Sequence, residues 1–165
     1  MPDAPLYIVL NAGSGHEDTD TASDAIASVL SNAGRPHEIL RVEDPEHLRD
    51  VATQAVAKAK HTNGIVVAAG GDGTLNGVAQ IALSAGCPFG VIPQGTFNYF
   101  GRTHGISSDA AEAARGLLTA SVEPVQVGLV NGRVFLVNAS VGWYPPALQD
   151  REGHKQRHGR SRLVA

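Results

Sequence analysis

The chain has 165 residues, 42% of them hydrophobic and 18% charged, with a formal net charge of -3. That balance excludes a disordered, highly charged chain and gives no general nucleic-acid footprint. A single cysteine, Cys87, excludes an intramolecular disulfide framework and a cysteine-based zinc site, and it fits a reducing, cytoplasmic setting. Apolar runs such as Ile65–Ala69 are far too short to cross a bilayer, and the Met1-Pro2-Asp3-Ala4-Pro5 start lacks the basic segment of a secretory leader.

In chain order, Leu6-Tyr7-Ile8-Val9-Leu10 reads as a buried parallel strand that stops at the Gly-rich stretch Asn11-Ala12-Gly13-Ser14-Gly15. Thr21 or Ser23 is the expected cap of a helix with Ala22, Ile26, Val29 and Leu30 on one face and Gly34 as its stop. His37–Val42 reads as a second strand. Asp44 is placed to cap the next helix, with Pro45 at its first position and Leu48, Val51, Ala52, Ala55 and Val56 as the buried stripe. Ile65–Ala69 is a third strand, Thr74–Ala85 a helix closed by Gly86, Phe89–Ile92 a fourth strand, and Ser107–Leu118 a helix capped by Ser108 or Asp109. The pattern then changes. Val125–Val130 and Arg133–Val137 flank Asn131-Gly132, a strong short-range hairpin signal because both residues tolerate positive φ. The expectation is an α/β parallel-sheet nucleotide-binding domain over residues 5–120. The start of an incomplete antiparallel β domain would follow over 121–165. Residues 150–165 carry 5 Lys and Arg against 2 Asp and Glu, so the chain ends in a basic tail.

The chemistry centres on Gly70-Gly71-Asp72-Gly73-Thr74, between a strand and a helix. Small residues there let the backbone turn sharply and bring its N–H groups and a helix N-terminus close to an anion. Thr74 is a candidate helix cap or phosphate donor, and Asp72 a carboxylate for Mg²⁺, bound directly or through water. The P-loop Gly-Lys-Ser/Thr element and the dinucleotide fingerprint are both absent. Two further loops, Asn11–Gly15 and Pro93–Phe100, follow strands and are expected to open at the same sheet edge, where parallel α/β sheets bind ligands.

The string Gly70-Gly71-Asp72-Gly73-Thr74-Leu75-Asn76-Gly77-Val78, followed by Pro93-Gln94-Gly95-Thr96-Phe97-Asn98, resembles the diacylglycerol kinase catalytic domain family, which includes bacterial lipid kinases and sphingosine kinases. Asn11–Gly15 resembles that family's first nucleotide loop, with Ala12 in a place usually held by Pro, and Val134–Gly142 resembles its strand after the hairpin. The resemblance implies ATP as phosphoryl donor, Mg²⁺, and a lipid hydroxyl at a membrane surface as acceptor. It implies an ATP site of Asn11, Ser14, Gly70, Gly71, Asp72, Gly73, Thr74, Asn76, Gly95, Thr96 and Asn98. It also implies a general base beyond Ala165, because family members are roughly twice this long, so the chain reads as their N-terminal part. Tyr99 and Gln126 stand where the family usually places acids of a Mg²⁺–water network.

Two alternatives stay open: a NAD kinase-like phosphotransferase, which shares the Asp72 motif, and a nucleotide-binding module without turnover. Other candidates are weaker. His61, His104, His154 and His158 lack a metal-ligand spacing. Arg102 is either a phosphate contact or a solvated helix-end residue. The basic tail is either solvated or in contact with anionic lipid. A lone hairpin cannot bury a core of its own, so homodimerisation through its apolar surface is a further expectation.

Overall fold

The structure, a computed structural model, describes residues 3–12 and 16–139. Ser14 of the first loop and the tail with His154 and His158 lie outside the described residues.

Short apolar segments form a four-stranded, all-parallel sheet: β1 (Leu6–Asn11), β2 (His37–Val42), β3 (Ile65–Gly70) and β4 (Phe89–Pro93), in the order β2-β1-β3-β4. The central pair runs in register from Leu6 opposite Ile65 to Leu10 opposite Ala69. Helices cover both faces, which is why β1 and β3 read as continuous apolar runs with no polar alternation. On one face α1 (His16–Asn32) and α5 (Ala110–Thr119) pack over Leu6, Ile8, Leu10, Val67, Ala69 and Ile92. On the other, α2 (Leu48–Thr62) and α3 (Asp72–Ser84) pack over Val9, Val66, Ala68 and Val91. Most of each predicted stripe is buried: Ala22, Ile26 and Leu30 of α1, and Ala52, Ala55 and Val56 of α2; Val29, Leu48 and Val51 are half-buried against the same cores.

The helix starts differ from expectation. α1 begins at His16, so Thr21 and Ser23 lie inside it and not at its start. The packing of its apolar face outweighs the local signal of the hydroxyls. Asp44 does act as a cap, accepting from the Glu46 N–H at 2.9 Å, but it opens a short 3-10 turn (Pro45–His47) that precedes α2. α3 begins at Asp72 with Gly71 as its N-cap, which moves Thr74 from a capping position into the first turn. Asp109 caps α5 through the Glu112 N–H at 2.8 Å. A five-residue helix, α4 (Tyr99–Thr103), interrupts what read as a continuous loop after β4.

The expected hairpin is present but shorter. β5 (Gly128–Val130) and β6 (Arg133–Phe135) are antiparallel, and the turn residues Asn131 and Gly132 have φ of 49° and 74°. The hairpin packs against α3, burying Val134 and resting Leu136 on the α2–α3 core.

Candidate functional site

β1, β3 and β4 all end at one edge of the sheet. The chain leaves β1 toward β2 on one side, while β3 and β4 lie on the other, so the connections diverge between β1 and β3. A crevice outside the strand ends is the geometric consequence. There the structure has an open cleft of about 370 Å³, lined by Asn11, Pro45, Leu48, Gly70, Gly71, Gly73, Thr74, Gln94 and Gly95.

Its floor is set by glycine. A Cβ on Gly95 would fall 2.5 Å from the Gly71 Cα, so the β3 and β4 loops meet backbone to backbone, and only glycine permits that approach. The Gln94 N–H donates to the Gly70 carbonyl at 2.8 Å and extends the β3–β4 pairing into the loops. Gly73 has nothing within 4 Å of a built Cβ; it faces open space in the first turn of α3. The first N–H groups of a helix have no intrahelical partner, and here they stand beside the cleft with the positive end of the helix dipole.

Asn11 and Thr74 close the β1 side. The Asn11 amide donates to the buried Thr74 hydroxyl at 2.8 Å and ties the end of β1 to the first turn of α3. Asn98 shapes the β4 loop. It is buried, has a left-handed φ of 50°, and its side-chain oxygen accepts the Gly95 N–H at 2.7 Å. Thr96 is exposed on that loop and is not among the cleft-lining residues.

Two of the expected ligand residues have hydrogen-bond partners elsewhere in the chain. The Asp72 carboxylate accepts the N–H groups of Tyr99 (3.2 Å) and Phe100 (3.3 Å) at the start of α4. It therefore ties the phosphate-loop candidate to the β4 loop. Asn76 points its amide at the hairpin, donating to the Val134 carbonyl at 3.0 Å and accepting the Leu136 N–H at 3.1 Å. It does not line the cleft.

Among the described residues no group of three His, Cys, Asp or Glu stands close enough to hold a cation, and Asp72 already serves two backbone donors. Tyr99, in the place of an expected acid, is half exposed and stacks on Phe97 with ring centroids 5.5 Å apart. His61 and His104 join no such cluster, and Arg102 is exposed on α4.

Pro45, Leu48 and Gln94 line the cleft but were not singled out from the sequence. The signal was available for the first two. They follow β2, so their segment opens at the same sheet edge as the three loops that were recognised, but they read only as a helix start.

The sequence matches the diacylglycerol kinase catalytic domain family over residues 5–130. A Pseudomonas aeruginosa protein named "Probable lipid kinase YegS-like" is 33% identical over 144 residues, covering 86% of this chain and 45% of that protein. A diacylglycerol kinase of Staphylococcus aureus is 40% identical over 94 residues, 55% of this chain and 30% of its own. The crystal structure of a diacylglycerol kinase from Bacillus anthracis superposes with a TM-score of 0.68 at 30% identity, covering 81% of this chain and 46% of that one. The chain spans less than half the length of these relatives. No helix among the described residues is long and apolar enough to cross a membrane. The match across the sheet, both glycine loops and the hairpin turn's first strand shows that the chain belongs to the diacylglycerol kinase catalytic domain family.

Proposed function

We propose that this chain is the nucleotide-binding part of an ATP-dependent lipid kinase that transfers the γ-phosphoryl group to a lipid hydroxyl such as that of diacylglycerol. The observation that carries the reading is the backbone contact of Gly71 with Gly95, which makes two glycine loops into one floor at the N-terminus of α3. In this reading Gly70, Gly71, Gly73 and Thr74 cradle the phosphates, Asn11 and Gly95 flank them, and Pro45 and Leu48 provide an apolar wall for the rest of the nucleotide. Asn98 and Asp72 act behind the floor by shaping the β4 loop. Ser14, outside the described residues, is assigned to the nucleotide on the family resemblance of its loop alone.

In the reaction, the bond from the γ-phosphorus to the bridging oxygen breaks, a bond to the lipid oxygen forms, ADP leaves, and the hydroxyl proton passes to a base. Most of the catalysis is positioning and charge stabilisation, which backbone donors supply. Among the described residues no titratable side chain lines the cleft, and neither the base nor a metal-holding step is assigned to them. A lipid acceptor places the reaction at a membrane surface. The second reading, a nucleotide-binding module without turnover, is favoured by Tyr99 and Gln126, which stand where the family usually places acids.

The deciding experiment is calorimetric titration of the chain with ATP, ADP and NAD, with and without Mg²⁺, followed by radiolabelled phosphate transfer to diacylglycerol in mixed micelles by the chain fused to the C-terminal half of a longer relative. ATP binding preferred over NAD supports the nucleotide site. Transfer to the lipid supports the kinase and sinks the second reading. Tighter binding of NAD than of ATP would overturn the proposal.

A further inference from the structure

Two neutral amides on α3 match the backbone of β6 group for group. Gln80 accepts the Val134 N–H at 2.7 Å and donates toward the Gly132 carbonyl at 3.4 Å. Asn76 donates to the Val134 carbonyl at 3.0 Å and accepts the Leu136 N–H at 3.1 Å. Each amide therefore takes one carbonyl and one N–H that straddle a single residue, Arg133 for Gln80 and Phe135 for Asn76. That is the pattern by which one residue of a parallel strand bonds its neighbour. The groups used are those on the outer edge of β6, since Arg133 and Phe135 pair with Val130 and Gly128 on the other side.

The spacing explains why two side chains of a helix can imitate a strand. Residues four apart on a helix are separated by about 6 Å along its axis, and residues two apart on a strand by about 6.6 Å. Asn76 and Gln80 are four apart, and the residues they straddle are two apart. A slip of β6 by one residue would present the groups already bonded to β5, and a slip of two would take Val134 out of its buried place, so amides and burial together select one register.

We propose that Asn76 and Gln80 are positioning residues whose amides form a surrogate strand, locking β6 in a single register on α3. The hairpin is thereby held at a fixed offset from the glycine loop at the N-terminus of the same helix. The second half of this statement, that the offset matters to the nucleotide, rests on the proposed function; the register lock does not. A neutral amide is the suitable group for the task. It supplies a donor and an acceptor together, and it leaves no buried charge beside Val134.

The test is residue-resolved amide hydrogen exchange on the 165-residue chain. Gln80→Met keeps the side chain's length and removes both bonds. Its Val134 amide should lose protection by about tenfold, in line with the loss of one hydrogen bond in a packed contact, while the β3 amides Val66–Ala69 keep theirs. Asn76→Ala should do the same at Leu136. Gln80→Glu keeps the acceptor and should retain most of the Val134 protection. Unchanged protection in Gln80→Met, or an equal loss at every amide, would overturn the register lock. With saturating ATP, protection at Val134 should rise in the unaltered chain and stay flat in Gln80→Met, and that variant should bind ATP more weakly than the unaltered chain. Unchanged ATP affinity in Gln80→Met would overturn the positioning role. Absence of ATP binding to the unaltered chain, with the exchange results as expected, would overturn the proposed function and the link to the glycine loop, leaving the lock standing.

Discussion

Gly73 and Cys87 show how single positions divide between fold and function. Gly73 lies in the first turn of α3 without positive φ, and a methyl there would meet nothing. By packing and propensity alone, Gly73→Ala should stabilise the chain by up to about 1 kcal/mol. If the open space is kept for a phosphate, the same methyl should weaken ATP binding. Thermal melting and calorimetry should therefore move in opposite directions, and an ATP affinity unaffected by the methyl would take Gly73 out of the cradle. Cys87 is buried in the α2–α3 core. Burial pushes its thiol above the ordinary range, against smaller opposing effects from a Val66 backbone hydrogen bond and the Lys60 charge. A folded-state pKa above the unfolded one favours the thiol form, so its share of stability is present below the ordinary thiol range and is lost as pH rises through the folded value. Iodoacetamide should alkylate Cys87 far more slowly in the folded chain than in urea, with the gap narrowing at alkaline pH. Equal rates at neutral pH would contradict the burial.

At the scale of elements, the glycine loops, α4 and α3 act as one unit because Asp72 spans them. Asp72→Ala removes the acceptor for the Tyr99 and Phe100 N–H groups, a loss comparable to that of a helix cap, about 0.5–2 kcal/mol. The melting temperature should fall and the Tyr99 and Phe100 amide resonances should shift, while ATP binding stays measurable because the backbone donors remain. If those resonances stay in place and only the Mg²⁺ response of ATP binding disappears, the carboxylate serves a metal and not the loop. Much of this arrangement was legible in the sequence. The strands announced themselves as apolar runs, and the loops through their glycines and amides. The partners of those side chains were not legible. Asp72 and Asn76 carry the composition of ligand-binding residues, yet Asp72 binds α4 and Asn76 binds the hairpin, contacts 27 and 58 or more residues away in sequence. α4 itself was hidden because its five residues are too few to show a helical period.

At the scale of the whole molecule, the cleft has a floor and one apolar wall, and among the described residues no titratable side chain lines it. General-base assistance is typically worth about 10² to 10⁴ in rate. The 165-residue chain alone should bind ATP yet phosphorylate diacylglycerol no faster than a blank; turnover comparable to that of a longer relative would place the base within these residues. The hairpin bears Leu129, 66% exposed, with Val130 and Val137 also open to solvent. The sheet order has a further consequence, for synthesis. β1 leaves the ribosome early, but its partner across the centre of the sheet begins only at Ile65. Until then β1 can pair with β2 alone, leaving the other edge of an almost wholly apolar strand unpaired, a template for any stray extended segment. The nascent chain is therefore most exposed to misassembly while α2 is being made, and holdase chaperones should bind it most strongly in that interval.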